Sequence, residues 1–129
     1  MTDLFAIAEQ EDVDVLYSDI PHCESMSMDG YIALDYSLIW NTSEERVHLA
    51  HELGHCVTGS FYNRYSPFDV RAQHENRATH WAIRKIIPLH ELNNAVHKGY
   101  TEPWELAEYF NVTEPFIIKA VQYYKEATL

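Results

Sequence analysis

The chain has 129 residues, enough to bury the core of one domain and too few for two catalytic domains. Nine Lys and Arg stand against twenty Asp and Glu, a net charge of −11 that repels a phosphate backbone over most of the surface, so no direct nucleic-acid partner is expected. The opening Met1 to Gln10 has no basic region, and no segment reaches the ~20 apolar residues of a membrane span, so a soluble cytoplasmic protein without a membrane partner is expected.

In chain order, Asp3 caps a first short helix whose Leu4, Ile7 and Ala8 share one face. Val13 to Tyr17 alternates apolar and polar and reads as a strand, and residues 18–29 read as turn. Gly30 to Leu34 and Ser37 to Asn41 favour β structure, which predicts a small three-stranded sheet. Thr42 and Glu45 form a capping-box pair ahead of a helix that runs to a stop near Gly59. Aromatic and turn-forming residues 61–69 then wall one side of a cleft. A long helix from Val70 to Ile87 is cut off by Pro88, and shorter helices follow at Leu89 to His97, at Glu102 to Tyr109 and at Glu114 to Lys125.

The helix after Thr42 carries His51-Glu52-Leu53-Gly54-His55. Residues four apart stack on one helix face, so the imidazoles of His51 and His55 can converge on one ion. Glu52 lies about 100° round the axis, off the ligand line but within reach of a water on that ion, which makes it the expected general base. A hydrolytic zinc centre follows, with zinc-bound water attacking a peptide bond as Glu52 takes its proton. Such a zinc has three protein ligands, so a third is sought among His48, Asp69, His74, Glu75 and His80. Glu75, twenty residues past His55 and one turn before the small Ala78, is preferred because two helices can approach closely there. His48 and Asp69 are candidates to orient the ligand imidazoles. Tyr62, Tyr65, His74 and His80 are in range to stabilise an oxyanion, and Tyr65 is taken as the donor. Cys23 and Cys56 form no CxxC pair and are read as free thiols, Cys56 being a small apolar helix residue.

His51-Glu52-Leu53-Gly54-His55, with Glu75-Asn76-Arg77-Ala78 continuing through Trp81-Ala82 to Ile86-Ile87-Pro88, resembles the ImmA/IrrE family of small zinc metallopeptidases over about the whole chain. The resemblance implies zinc at His51, His55 and Glu75 with Glu52 as catalytic base. It also implies that the substrate is a helix-turn-helix repressor of a mobile element or prophage. Arg77 and Thr79 depart from the family pattern, where an acidic residue and an asparagine are common, and this bears on what surrounds the ligands.

Trp104 to Val121 has the spacing of a helix-turn-helix, yet its second helix opens Glu114-Pro115-Phe116 and carries few base-reading side chains, so packing or partner docking is favoured over DNA reading. The expected fold is α+β: a mostly helical, minimal zincin-like metallopeptidase with a three-stranded sheet. Residues 1–98 are expected as the metallopeptidase core, with 99–129 as a helix-turn-helix-like pair packed on it. The alternative is a non-catalytic, zinc-stabilised module that binds a regulatory protein. Retention of Glu52 and an oxygen third ligand argue against it, since structural zinc sites are usually closed and cysteine-rich.

Overall fold

The computed structural model describes residues 2–127. Helix α1, Leu4–Gln10, is capped by Asp3, whose carboxylate accepts from the Ala6 amide, and it leads into β1, Asp14–Ser18. Strands β2, Ser25–Met28, and β3, Tyr31–Asp35, form a hairpin closed at Asp29-Gly30, where Gly30 takes a φ of 85°. Glycine, with no Cβ, adopts that backbone without the strain an L side chain would meet. β3 is central, parallel to β1 on one side and antiparallel to β2 on the other, which leaves β2 at an edge.

The fold is the expected α+β, but the third strand is not the one read from the sequence. The supposed turn of residues 18–29 contains β2, and the supposed strand of residues 37–41 overlaps a 3-10 helix, Tyr36–Trp40. The reason for the first difference lies in what β2 faces. Its Ser-Met-Ser-Met sequence places serines inward and methionines outward, the reverse of an apolar-inward alternation. For the second, Asp35 bonds the Ser37 and Ile20 amides through its two oxygens, starting a local turn. Ile39 and Trp40 then project into solvent, Trp40 at 91% exposure, so their β preference finds no neighbour strand to satisfy.

Helix α2, Thr42–Thr58, runs through the centre of the molecule. Its cap is Asn41, whose side chain accepts from the Glu44 amide, and not the Thr42/Glu45 pair. Thr42 instead bonds Asn111, and Glu45 accepts from the Tyr17 hydroxyl at 2.8 Å. Gly59 ends α2 in the left-handed conformation, φ 67°, returning its amide to the His55 carbonyl. Then follow α3, Phe68–Ile86; α4, Leu89–His97; α5, Pro103–Phe110; and α6, Glu114–Ala127. A capping box of Glu102 and Glu105, with Pro103 in the first turn, starts α5, and Asn111 at φ 53° turns the chain toward α6.

Leu49, Ala50 and Leu53 of α2 are fully buried, and they join Ile32 and Leu34 of β3, Trp81, Ala82, Ile83 and Ile86 of α3, and Leu106, Phe110, Phe116 and Ile117 of the last helix pair in one apolar cluster. α2 and α3 are in close contact at Gly54, where an added Cβ would lie 2.5 Å from the Ala78 carbonyl oxygen. The glycine of the histidine motif is therefore a packing requirement, and it decides how near α3 can bring Glu75. No helix among the described residues is long and apolar enough to cross a membrane.

Candidate metal centre

His51 and His55 project from α2, one turn apart, with ring centroids 4.8 Å apart and planes at 84°. Glu75, on α3, reaches both: Oε2 is 2.7 Å from His51 Nε2 and Oε1 is 3.2 Å from His55 Nε2. The ligand-type atoms of these three residues all lie within 4.8 Å of one another.

The far side of each ring is tethered. His55 Nδ1 donates to the Ser60 carbonyl at 2.5 Å, and the carbonyl can only accept. That fixes the tautomer: the hydrogen is on Nδ1, and the Nε2 lone pair of the neutral ring faces the Glu75 carboxylate. Two acceptors set against each other call for a proton or a cation between them, so the donor set suits a divalent metal with nitrogen and oxygen preference. The hydroxyl of Thr79 lies 3.2 Å from His51 Nδ1. Thr79 is thus a partner of a candidate ligand, and Ser60, which sequence reasoning missed, is another. The Gly59 turn is the signal that could have found Ser60, since it folds the chain back over His55.

Burial presses His55 toward its neutral form, but the bonds to Glu75 and Ser60 outweigh it and hold its pKa above the ordinary value. Hydrogen bonds from His51 and His55, with a third from Tyr62, hold the Glu75 carboxyl well below the usual carboxylate range despite partial burial. The Tyr62 hydroxyl donates to Glu75 Oε1 at 2.7 Å, and that bond with burial pushes its pKa up to about 12.

Ser25, Met26, Ser27, Glu52, His55, Phe61, Tyr62 and Glu75 line one cleft of about 240 Å³. Glu52 is 7% exposed inside it and accepts from Ser27 and Ser25. The match to the family model described as the IrrE N-terminal-like domain, peptidase M78, covers residues 8–121. The chain belongs to that peptidase family. The matched span of this M78 member takes in the cleft and both helices that build it, and extends through α5 into α6. Neither a curated protein nor a solved structure matches the chain.

The remaining sequence candidates of this M78 member lie apart from the three converging groups. Tyr65 is 79% exposed and its hydroxyl accepts from Arg64, outside the cleft lining; Tyr62 is the tyrosine that lines it. His48 turns from the imidazoles of His51 and His55 toward Ser25 and Glu24, and Asp69 is exposed in the first turn of α3, so neither orients those two rings. His74 stacks on Tyr62 with a centroid distance of 6.4 Å, and its buried Nδ1 has no hydrogen-bond partner among the described residues. His80 stacks on Tyr123 at 4.4 Å. Cys56 is half-buried beside the Met28 carbonyl, and burial pushes its thiol pKa up to about 11.

Proposed function

We propose that this M78 member is a zinc-dependent endopeptidase with His51, His55 and Glu75 as the metal ligands and Glu52 as the catalytic base. The observation that carries the reading is the convergence of two imidazole nitrogens and a carboxylate in the same cleft as a second, buried carboxylate. A zinc ion held there would supply Lewis acidity, bringing the pKa of a water toward neutrality and polarising a carbonyl.

Glu52 accepts the proton of the attacking water and passes it to the departing amine, so it serves as base and then acid. Tyr62, with its hydroxyl in the cleft, takes the oxyanion-stabilising role that the sequence suggested for Tyr65. Ser25, Met26 and Ser27 of edge strand β2 form one lip, against which an extended peptide can lie with main chain beside main chain.

The resemblance to ImmA/IrrE members supports a helix-turn-helix repressor of a mobile element as the substrate, which would set the reaction in the cytoplasm. Residues 99–129 serve in this reading as a helical element on the 1–98 core that docks a protein; the acidic balance of the chain disfavours direct DNA contact.

The test is incubation of the zinc-loaded protein with candidate repressors, with and without chelator, beside Glu52→Gln. Cleavage is expected to need the metal and to fall by roughly 10²–10⁴-fold in the variant. Cleavage that persists in Glu52→Gln rejects the base, and full zinc content in Glu75→Ala rejects the third ligand.

A further inference from the structure

Glu52 faces β2, and the strand is built to receive it. Ser27 Oγ donates to Glu52 Oε1 at 2.6 Å and Ser25 Oγ donates to Oε2 at 2.7 Å. Strand periodicity puts the two serines on one face and Met26 and Met28 on the other. A carboxylate has about four lone-pair positions. One on each oxygen is taken by a serine, which leaves one on each for water or substrate.

Ser25 has a second neighbour. His48 Nδ1 lies 2.9 Å from Ser25 Oγ, while its Nε2 lies 2.9 Å from Glu24 and 3.7 Å from Glu44. A hydroxyl carries a single hydrogen, and Ser25 gives it to Glu52. The hydrogen between His48 and Ser25 must therefore come from Nδ1. The reverse polarity would set the lone pairs of Ser25 and of ionised Glu52 against each other at the 2.7 Å contact. Nε2 faces Glu24, beside β2, at 2.9 Å, with Glu44, one turn before His48 on α2, at 3.7 Å; a carboxylate only accepts, so Nε2 carries a hydrogen as well, and the contact favours the ring orientation that points Nδ1 at Ser25.

We propose that His48 and Ser25, together with Ser27, are positioning residues for Glu52: His48 commits the Ser25 hydroxyl to donation, and the two serines fix the carboxylate's direction. The inference rests on Glu52 being the base of the peptidase reaction. With the strand side occupied by donors, the proton that Glu52 takes up is confined to the cleft side, where the leaving amine can receive it.

The experiment uses the zinc-loaded full chain, a quenched-fluorescent peptide library as probe, and the variants Ser25→Ala, Ser27→Ala, His48→Ala and His48→Asn. Zinc content is expected to be unchanged in all four, because none is a ligand. kcat is expected to fall roughly 10–100-fold in Ser25→Ala and His48→Ala with KM unchanged, the loss typical when a partner behind a functional group is removed. His48→Asn should recover most of the rate, since its amide nitrogen stands where Nδ1 stood. Crystal structures supply a readout independent of turnover: Glu52 is expected to leave β2 in the Ser25→Ala/Ser27→Ala double variant. Wild-type kcat in Ser25→Ala and His48→Ala overturns the proposal. If the wild type binds zinc yet cleaves no peptide, the peptidase reading fails, and the double variant then decides alone: a displaced carboxylate supports the positioning role and an unmoved one overturns it.

Discussion

The two walls of the cleft are built on different principles. The helical wall, α2 against α3, carries the three converging groups, and its geometry follows from a helix repeat and one close crossing. The strand wall, β2, carries no ligand-type residue of that set, yet it supplies both hydrogen bonds to Glu52. One wall holds the proposed metal and the other aims the proposed base. A helix repeat announces its function in sequence spacing, whereas a strand that presents small hydroxyls to a buried carboxylate has no such signature.

If the helical wall is a metal centre, ligand removal should show the largest effect. Zinc at a hundredfold excess over its dissociation constant is expected to stabilise the protein by about 2.7 kcal/mol, and Glu75→Ala should abolish that increment in chelator-controlled thermal melts. An equal increment in the variant would break the contrast between the walls.

The crossing can be stressed next with Gly54→Ala. Alanine is the better helix former by roughly 0.5–1 kcal/mol. The new Cβ, however, meets the Ala78 carbonyl at 2.5 Å, and backbone on both sides gives little room. Overpacking costs about 1–3 kcal/mol, so a net loss of stability is expected in denaturant titrations, together with weaker zinc binding as α3 is pushed back.

Thr79→Val removes the hydroxyl behind His51 with little change in shape, and zinc affinity measured by competition with a chromophoric chelator is expected to fall by roughly tenfold. An unchanged affinity would show that His51 holds its direction by packing alone.

The tyrosines offer a sharper separation. Tyr62→Phe should slow peptide hydrolysis while Tyr65→Phe leaves it at the wild-type rate, since Tyr62 lines the cleft and Tyr65 is turned to solvent. Equal rates in the two variants would remove Tyr62 from the oxyanion role.

The smallest effect belongs to the contact between β1 and α2. Burial, then the bond to Glu45, pushes the Tyr17 pKa up to about 12 from its ordinary value of 10.0. A raised folded pKa means that the contribution is complete below pH 10 and is lost as the pH climbs toward 12. Stability of the wild type should therefore decline through that window, and Tyr17→Phe should flatten the decline.

What could be read in advance follows local rules. Asp3, Gly59, Pro88 and Pro103 mark helix ends because capping and proline chemistry act within a turn, and each sits where the structure starts or stops a helix. The strand β2 escaped because its inward residues serve a polar group and so invert the apolar alternation. The Asp29-Gly30 pair at its end was the available signal. The 3-10 segment at Tyr36–Trp40 was misread because strand propensity is fulfilled only when a neighbouring strand is present.

Spacing along the chain was sufficient to align His51 with His55 and to set Glu52 off that line, since these relations depend on the pitch of a helix; for Glu75 it permitted a place on a returning helix among five candidates, and the family resemblance added the rest. The tertiary structure alone decided that Thr79 and Ser60 stand behind the imidazoles, that Tyr62 and not Tyr65 enters the cleft, and that Ser25, Ser27 and His48 surround the buried Glu52. Those contacts join residues far apart in sequence. A hydroxyl or carbonyl gains meaning only from the partner that folding sets within 3 Å or so of it.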